Sequence, residues 1–267
     1  MRRCSLEPLH SQLLTCRRIK LPELWCPIPP DRTSEAGHTA TLLGASVYKN
    51  FPWVDGAHPH GDEHNHAELL LRRTWHPALS VTGAAGFPPL EQAGNVLRTF
   101  TAFKLSMRLP PRCDSALAGP ALKRALEADP PCGAHVEFQL EKAASGWDAP
   151  AQAPWLTAAI DQASRAFYSQ PPAYFGEGGS IPFMGMLGEL FPQAQFVVTG
   201  VLGPGSNAHG PNEFLHIEFT KKIICCVTHI LAGALVTRGG RMLVALAAPQ
   251  LAVLRTLAPS WPPQGRP

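Results

Sequence analysis

The sequence is short of charge. Only 16% of its 267 residues are Asp, Glu, Lys or Arg, and the net charge of +3 is spread with no Lys/Arg block. That leaves no basic surface of the kind that grips nucleic-acid phosphates. C-x-x-C pairs are missing too. The seven cysteines (Cys4, Cys16, Cys26, Cys113, Cys132, Cys225 and Cys226) are odd in number and scattered. Neither a zinc knuckle nor a redox motif is signalled, and free thiols in a reducing, cytoplasmic setting are expected. Long apolar runs are also absent. Ile223 to Val236 holds fourteen residues including His229, short of the roughly 20 needed to span a bilayer. Met242 to Leu254 is broken by Pro249, and no signal-length apolar stretch follows Met1, so neither a leader nor a membrane anchor is expected. No repeat of solenoid period is visible.

What remains is enough for a core. Apolar residues make 45% of the chain, and 28 prolines and 23 glycines stay below the roughly 25–30% that marks low-complexity chains. Residues 1–37 are rich in Pro and Cys, with one apolar and charged stretch, Arg18 to Trp25. Thr39 to Tyr48 suits a short helix, and 55–67, with four His, reads as a loop that a transition metal could visit adventitiously. Ala78 to Thr82 reads as a strand. Ala102 to Leu109 alternates apolar and polar residues, the mark of a half-buried strand. Ser115 to Glu127 reads as a helix capped by Asp114, and His135 to Leu140 as a further strand. A Gly/Ala/Pro-rich linker, 143–154, marks a boundary near 150. Beyond it come a helix, Trp155 to Tyr168, a glycine-rich loop, a short helix near Phe183 to Phe191, a buried strand, Gln195 to Leu202, and a final helix near Thr220 to Leu235, in which Cys225 and Cys226 read as small buried apolar residues. Nothing ties the tail after Val236 to the preceding elements.

Two segments carry chemistry. Gly176-Glu177-Gly178-Gly179-Ser180-Ile181-Pro182 would let a ligand approach the backbone closely, with Glu177 and Ser180 beside it and a helix N-terminus just after, favourable to a carboxylate or oxyanion. The same composition also suits a plain tight turn. Ser206-Asn207-Ala208-His209-Gly210-Pro211-Asn212-Glu213 follows a buried strand, where α/β folds bind ligands. His209 there could present a neutral imidazole to a metal, or serve only the loop.

In this order the two loops resemble the C-terminal half of the zinc-dependent metallopeptidases of the aminoacylase, glutamate carboxypeptidase and carnosine dipeptidase family (peptidase family M twenty), and most of all its dipeptidase branch. The stretch Arg73 to Pro111 is similar to that family's inserted lid, or dimerisation, domain, and weaker similarity reaches back to about Arg18. The resemblance implies an α/β chain: an α+β, ferredoxin-like lid over 18–150, then the C-terminal part of an α/β/α catalytic domain over 151–235, with 1–17 and 236–267 unassigned. It implies hydrolysis of dipeptides or related amides at two bridged divalent metals, zinc or manganese, that polarise the carbonyl and supply hydroxide, with a Glu as general base. On that pattern His209 resembles a metal ligand, and Glu177, Gly179 and Ser180 resemble substrate-contacting positions. Arg108 resembles a lid residue that clamps the substrate carboxylate, and Asn95 one that reaches a partner subunit's active site.

The chain departs from the family in its other ligands. No Glu-Glu pair occurs, and the formal His-x-Asp, His60-Gly61-Asp62, lies in a polar loop with no strand before it. One His cannot hold two metals, since a catalytic zinc usually takes three protein ligands. No general base or other catalytic residue is identified. The expectation is a truncated family member, inactive until the missing half is supplied. The alternatives are a non-catalytic partner that pairs with a full-length relative through the lid, and an unstable fragment.

Overall fold

The structure, a computed structural model, describes residues 21–49, 53–59, 61–177, 182–202, 205–236 and 242–246, with only the backbone for 235, 236 and 242–246. After a 3-10 turn, Pro22–Leu24, come helices α1 (Pro30–Leu43), α2 (Ser46–Lys49) and α3 (His66–Trp75), then strands β1 (Ala78–Ala85) and β2 (Ala102–Arg108). Helices α4 (Ser115–Glu127), α5 (Pro154–Tyr168) and α6 (Pro182–Leu190) follow, then β3 (Gln195–Thr199), α7 (Ile217–Val236) and β4 (Met242–Leu246). The chain forms two compact units: 1–27 with 74–147 and 178–182, and 28–73 with 148–177 and 183–267. Both are discontinuous in sequence, whereas a single stretch over 18–150 was expected, and residues 28–73 pack with the later part of the chain.

In the first unit β1 and β2 pair antiparallel, from Ala78 opposite Arg108 to Ala85 opposite Ala102, with a register shift between Val81 and Gly83. Gly86, at φ +85°, bends the chain out of β1 where a Cβ would lie 2.3 Å from the Phe100 carbonyl oxygen. Most side chains of this ribbon are exposed on both faces, not buried on one as the alternation predicted. Helix α4 starts where Asp114 accepts a hydrogen bond from the Ala116 N–H at 2.8 Å. Its small buried face (Ala118, Gly119 and Ala121) lets Leu140 approach so closely that a Cβ on Gly119 would sit 2.7 Å from it. His135 to Leu140 is not a strand. Side chains of α4 take its backbone groups: Glu127 Oε1 accepts from the Phe138 N–H at 2.7 Å, and Lys123 Nζ donates to the Phe138 carbonyl at 3.3 Å. Cys132 is disulfide-bonded, which corrects the expectation that every thiol is free.

The second unit is built on α5 and α7. Leu156, Ala159, Ile160 and Ala163 fall at helical spacing on one face of α5 and pack with Ile223, Cys226 and Ile230 of α7 and Val197 of β3. Each fully buried side chain of this kind contributes roughly 1.5–3 kcal/mol. The Tyr168 hydroxyl donates to the Phe219 carbonyl at 3.2 Å. Cys226 is buried as expected, but Cys225 faces outward. Helix α1 begins earlier than predicted because Pro30 sits at its first turn, and Gly44 at φ +52° ends it. Arg32 of α1 reaches the Ala149 carbonyl at 2.6 Å and pairs with Glu35 at 3.0 Å. Helix α3 opens at Asn65, whose Oδ1 accepts from the Glu68 N–H at 3.1 Å. β3 ends three residues sooner than predicted. It pairs in parallel with β4, Gln195 opposite Met242 through Thr199 opposite Leu246. The tail is therefore tied to the sheet, contrary to expectation. The reason is that α7 supplies the long crossover a parallel pair needs.

Candidate functional site

The site residues expected in the second unit lie on two loops. The first is the glycine-rich loop, described as far as Glu177 and again from Pro182. Arg73 Nη2, at the last turn of α3, donates to Glu177 Oε1, and the Glu177 side chain is 15% exposed. The Arg73 guanidinium also lies 5.3 Å from the centroid of the Phe175 ring, so its planar fork serves a carboxylate and an aromatic face together. Gly179 and Ser180 lie outside the described residues.

The second loop follows β3, and its shape is set locally. Asn207, His209 and Asn212 all have left-handed φ, at 54°, 61° and 58°. Asn tolerates this region through local hydrogen bonds, whereas His pays of order 1–2 kcal/mol for it. Asn207 Nδ2 donates to the Pro211 carbonyl at 2.7 Å, and Glu213 Oε2 accepts from the His209 N–H at 3.1 Å. Gly210 presses on Asn207, where a Cβ would fall 2.5 Å from its amide. The Ser206 carbonyl accepts from the Phe214 N–H at 3.1 Å and closes the loop at its base. The His209 side chain is exposed. Strain of this kind, held by surrounding hydrogen bonds, gathers at functional sites.

The lid-type residues belong to the first unit. Arg108 closes β2, exposed and opposite Ala78, and Asn95 is exposed in the loop between β1 and β2. Among the described residues no group of three or more His, Cys, Asp or Glu could hold a metal ion. The described donors therefore do not by themselves assemble a two-metal centre, and the Glu213 carboxylate on this loop is engaged by the His209 backbone N–H. His60 lies outside the described residues, and His58, His64 and His66 form no such group. A cleft of about 670 Å³ opens elsewhere in the second unit, lined by His38, Thr157, Asp161, Arg165 and Tyr174. None of the expected site residues borders it. Arg73 was missed as a partner of Glu177. Its only signal in the sequence is a pair of basic residues closing an amphipathic helix.

Comparison with known proteins shows what the chain is similar to. No family model matches the chain. A cysteinylglycine-S-conjugate dipeptidase of Corynebacterium striatum is 27% identical over 137 residues, 51% of this chain and 30% of that protein. Among solved structures, the di-peptidase Dug1p of Saccharomyces cerevisiae superposes with a TM-score of 0.59 at 18% identity, over 85% of this chain and 47% of that one. Human carnosine dipeptidase 1 gives a TM-score of 0.59 at 18% identity, over 85% and 49%. The chain is similar to these dipeptidases in sequence and in fold. The M20 family metallo-carboxypeptidase Sso-CP2 of Sulfolobus solfataricus is similar at a TM-score of 0.55 and 18% identity, over 85% and 51%. This dipeptidase-like chain thus spans 30% of the length of the curated relative and about half of the solved ones. No helix among its described residues is long and apolar enough to cross a membrane.

Proposed function

We propose that this chain contributes the substrate-facing part of a metal-dependent dipeptidase, and that most of the metal ligands and the general base are supplied by another polypeptide segment. The observation that carries this reading is the strained His209 loop after β3, braced by Asn207 and Glu213, in a chain dipeptidase-like in both sequence and fold. On this reading the lid lies within residues 18–150, and the C-terminal part of the catalytic domain takes in 151–235 together with residues 28–73 that pack with it. His209 serves as one ligand to zinc or manganese. Glu177, held in place by Arg73, contacts the substrate together with Gly179 and Ser180. Arg108 clamps the substrate carboxylate with two parallel N–H donors. Asn95 reaches the site of a partner subunit. No step is drawn through a metal, because the described donors do not assemble one.

A second reading is a non-catalytic partner that pairs with a full-length relative through the lid, as a homodimer or a heterodimer. The exposed β1–β2 ribbon favours it: Val81, Phe87, Leu97 and Phe103 all face solvent, Leu97 at 94% exposure. A cytoplasmic setting follows from the odd, scattered cysteines, with the disulfide at Cys132 standing against it.

The test is metal content by elemental mass spectrometry together with dipeptide hydrolysis. The chain is assayed alone and after mixing with a polypeptide that carries the His-x-Asp and Glu-Glu segments of a relative. The expected result is little metal and no turnover alone, with both gained on mixing. Two tightly held ions and turnover by the chain alone would overturn its incompleteness. A complex that binds metal but cleaves no dipeptide would leave the pairing reading.

A further inference from the structure

A turn between α2 and α3 carries a feature that none of the roles above uses. Asp55 is followed by Gly56, the chain's only Asp-Gly step, and no asparagine precedes a glycine. Val54 to Ala57 form the turn, which closes where the Ala57 N–H donates to the Val54 carbonyl at 3.0 Å. Gly56 takes φ +81°, a left-handed value that favours glycine. A Cβ built there would meet nothing within 4 Å, so no other described part of the chain packs on the tip of the turn. Residues 53–58 are all exposed, Val54 at 76%. Among the described residues the Asp55 carboxylate has no hydrogen bond or ion pair, and the Gly56 N–H has no acceptor.

We propose that Asp55 is a site of spontaneous isoaspartate formation, and thereby a substrate for an enzyme that methylates isoaspartyl carboxylates. The Gly56 nitrogen attacks Asp55 Cγ of the protonated carboxyl group. A C–N bond forms, the C–OH bond breaks, and the hydroxyl leaves as water with the proton of the Gly56 N–H. The product is a cyclic imide, and water then adds to one of its two carbonyls. Breaking the new C–N bond restores Asp55. Breaking the original peptide C–N bond instead routes the backbone through Cβ and frees the α-carboxylate. One water leaves and one returns, so the mass of the chain is unchanged and no co-reactant is consumed.

The surroundings select Asp55 over the other six aspartates. Asp31 and Asp161 lie within α1 and α5, where the regular backbone fixes the geometry. Asp62 and Asp114 already accept hydrogen bonds from the His64 and Ala116 N–H groups. Asp148 is paired with Arg32. Asp129 precedes Pro130, whose nitrogen carries no proton to give up. At Asp55 the next residue has no Cβ to hinder its nitrogen, and the exposed tip leaves room for that nitrogen to swing towards the carboxyl group. The extra backbone carbon would lengthen the Val54–Ala57 turn and break its closing bond. The proposal does not depend on the dipeptidase reading.

The full chain is aged by warming at neutral pH, beside a synthetic peptide covering residues 50–60 that serves as the clock. Isoaspartate is read by transfer of labelled methyl from S-adenosylmethionine with an isoaspartyl methyltransferase. It is located by electron-transfer fragmentation, which separates the two isomers of equal mass. The expected result is isoaspartate at residue 55 of the full chain ahead of every other aspartate, with methyl acceptance lost in Asp55→Glu. That variant keeps the charge of an exposed residue and should melt with the parent protein, so its loss of methylation is not loss of the fold. An unaltered Asp55 in the full chain once the peptide has converted would overturn the proposal. So would isoaspartate forming first at another aspartate, or undiminished methyl acceptance in Asp55→Glu.

Discussion

The Arg73 guanidinium donates to the Glu177 carboxylate and lies over the ring of Phe175. One side chain at the end of α3 thereby fixes the entry to the glycine-rich loop. The pair is only partly shielded, so Arg73→Ala is expected to lower unfolding stability by about 1 kcal/mol in urea titrations. Arg73→Lys should recover only part of that loss, because an ammonium cannot both fork onto the carboxylate and stack on the ring. Equal stability for all three proteins would remove the pair from the loop's support.

A stronger effect is expected at Thr39. Its hydroxyl is fully buried in α1, donates to the Tyr174 carbonyl and accepts from the Tyr174 N–H at 3.1 Å. Thr39→Val keeps the shape but strands both backbone groups, at a cost of roughly 2–3 kcal/mol. Thr39→Ser keeps both bonds and should stay close to the parent protein. Chemical denaturation of the three proteins decides this, and a harmless valine would show that water reaches the strand of residues behind α1.

Tyr174 gives a pH prediction. Its hydroxyl is buried with no hydrogen-bond partner among the described residues, and burial, followed by the carboxylates of Asp161 and Glu35, pushes it from 10 up to about 12. A raised folded value means that the native state holds the proton more tightly. The stability linked to it is whole below pH 10 and is lost as pH rises towards 12. Cys226, pushed up to about 11 by burial and then by Cys225, adds to the alkaline loss in the same sense. Tyr174→Phe should be neutral or stabilising by about 1 kcal/mol at pH 7, since it removes an unpaired buried hydroxyl, and should flatten the decline above pH 10. Melting curves from pH 7 to 12 test both parts. A parallel decline in the variant would assign the alkaline loss elsewhere.

Within an assembled, metal-loaded complex, His209→Ala is expected to abolish dipeptide hydrolysis together with stoichiometric metal. Arg108→Ala should leave the metal in place, raise KM and lower kcat/KM by roughly 100-fold through loss of substrate positioning. Metal analysis and steady-state kinetics on the same samples separate the two roles. Unchanged kinetics for either variant would remove that residue from the site.

Much of the element order was legible because its signals are local. The Asp114 cap and the helical spacing within 155–168 act over one or two turns, and α4 and α5 lie where these signals place them, α5 starting one residue earlier at Pro154. The two loops were legible as motifs. The failures are contacts between residues far apart in sequence. Alternation at His135 to Leu140 suggested a strand, but Lys123 and Glu127 compete for its backbone. The tail looked unattached because its partner, β3, lies on the far side of α7. Arg73 and Glu177 show nothing in their own neighbourhoods that would name the other.

The parallel pairing of β3 with β4 also sets a timetable. The two strands cannot zip until all of α7 has been made, so this part of the sheet closes only once that crossover is in place. During synthesis the β3 backbone emerges well before its partner and spends that interval as an open edge, able to pair with whichever extended chain reaches it first.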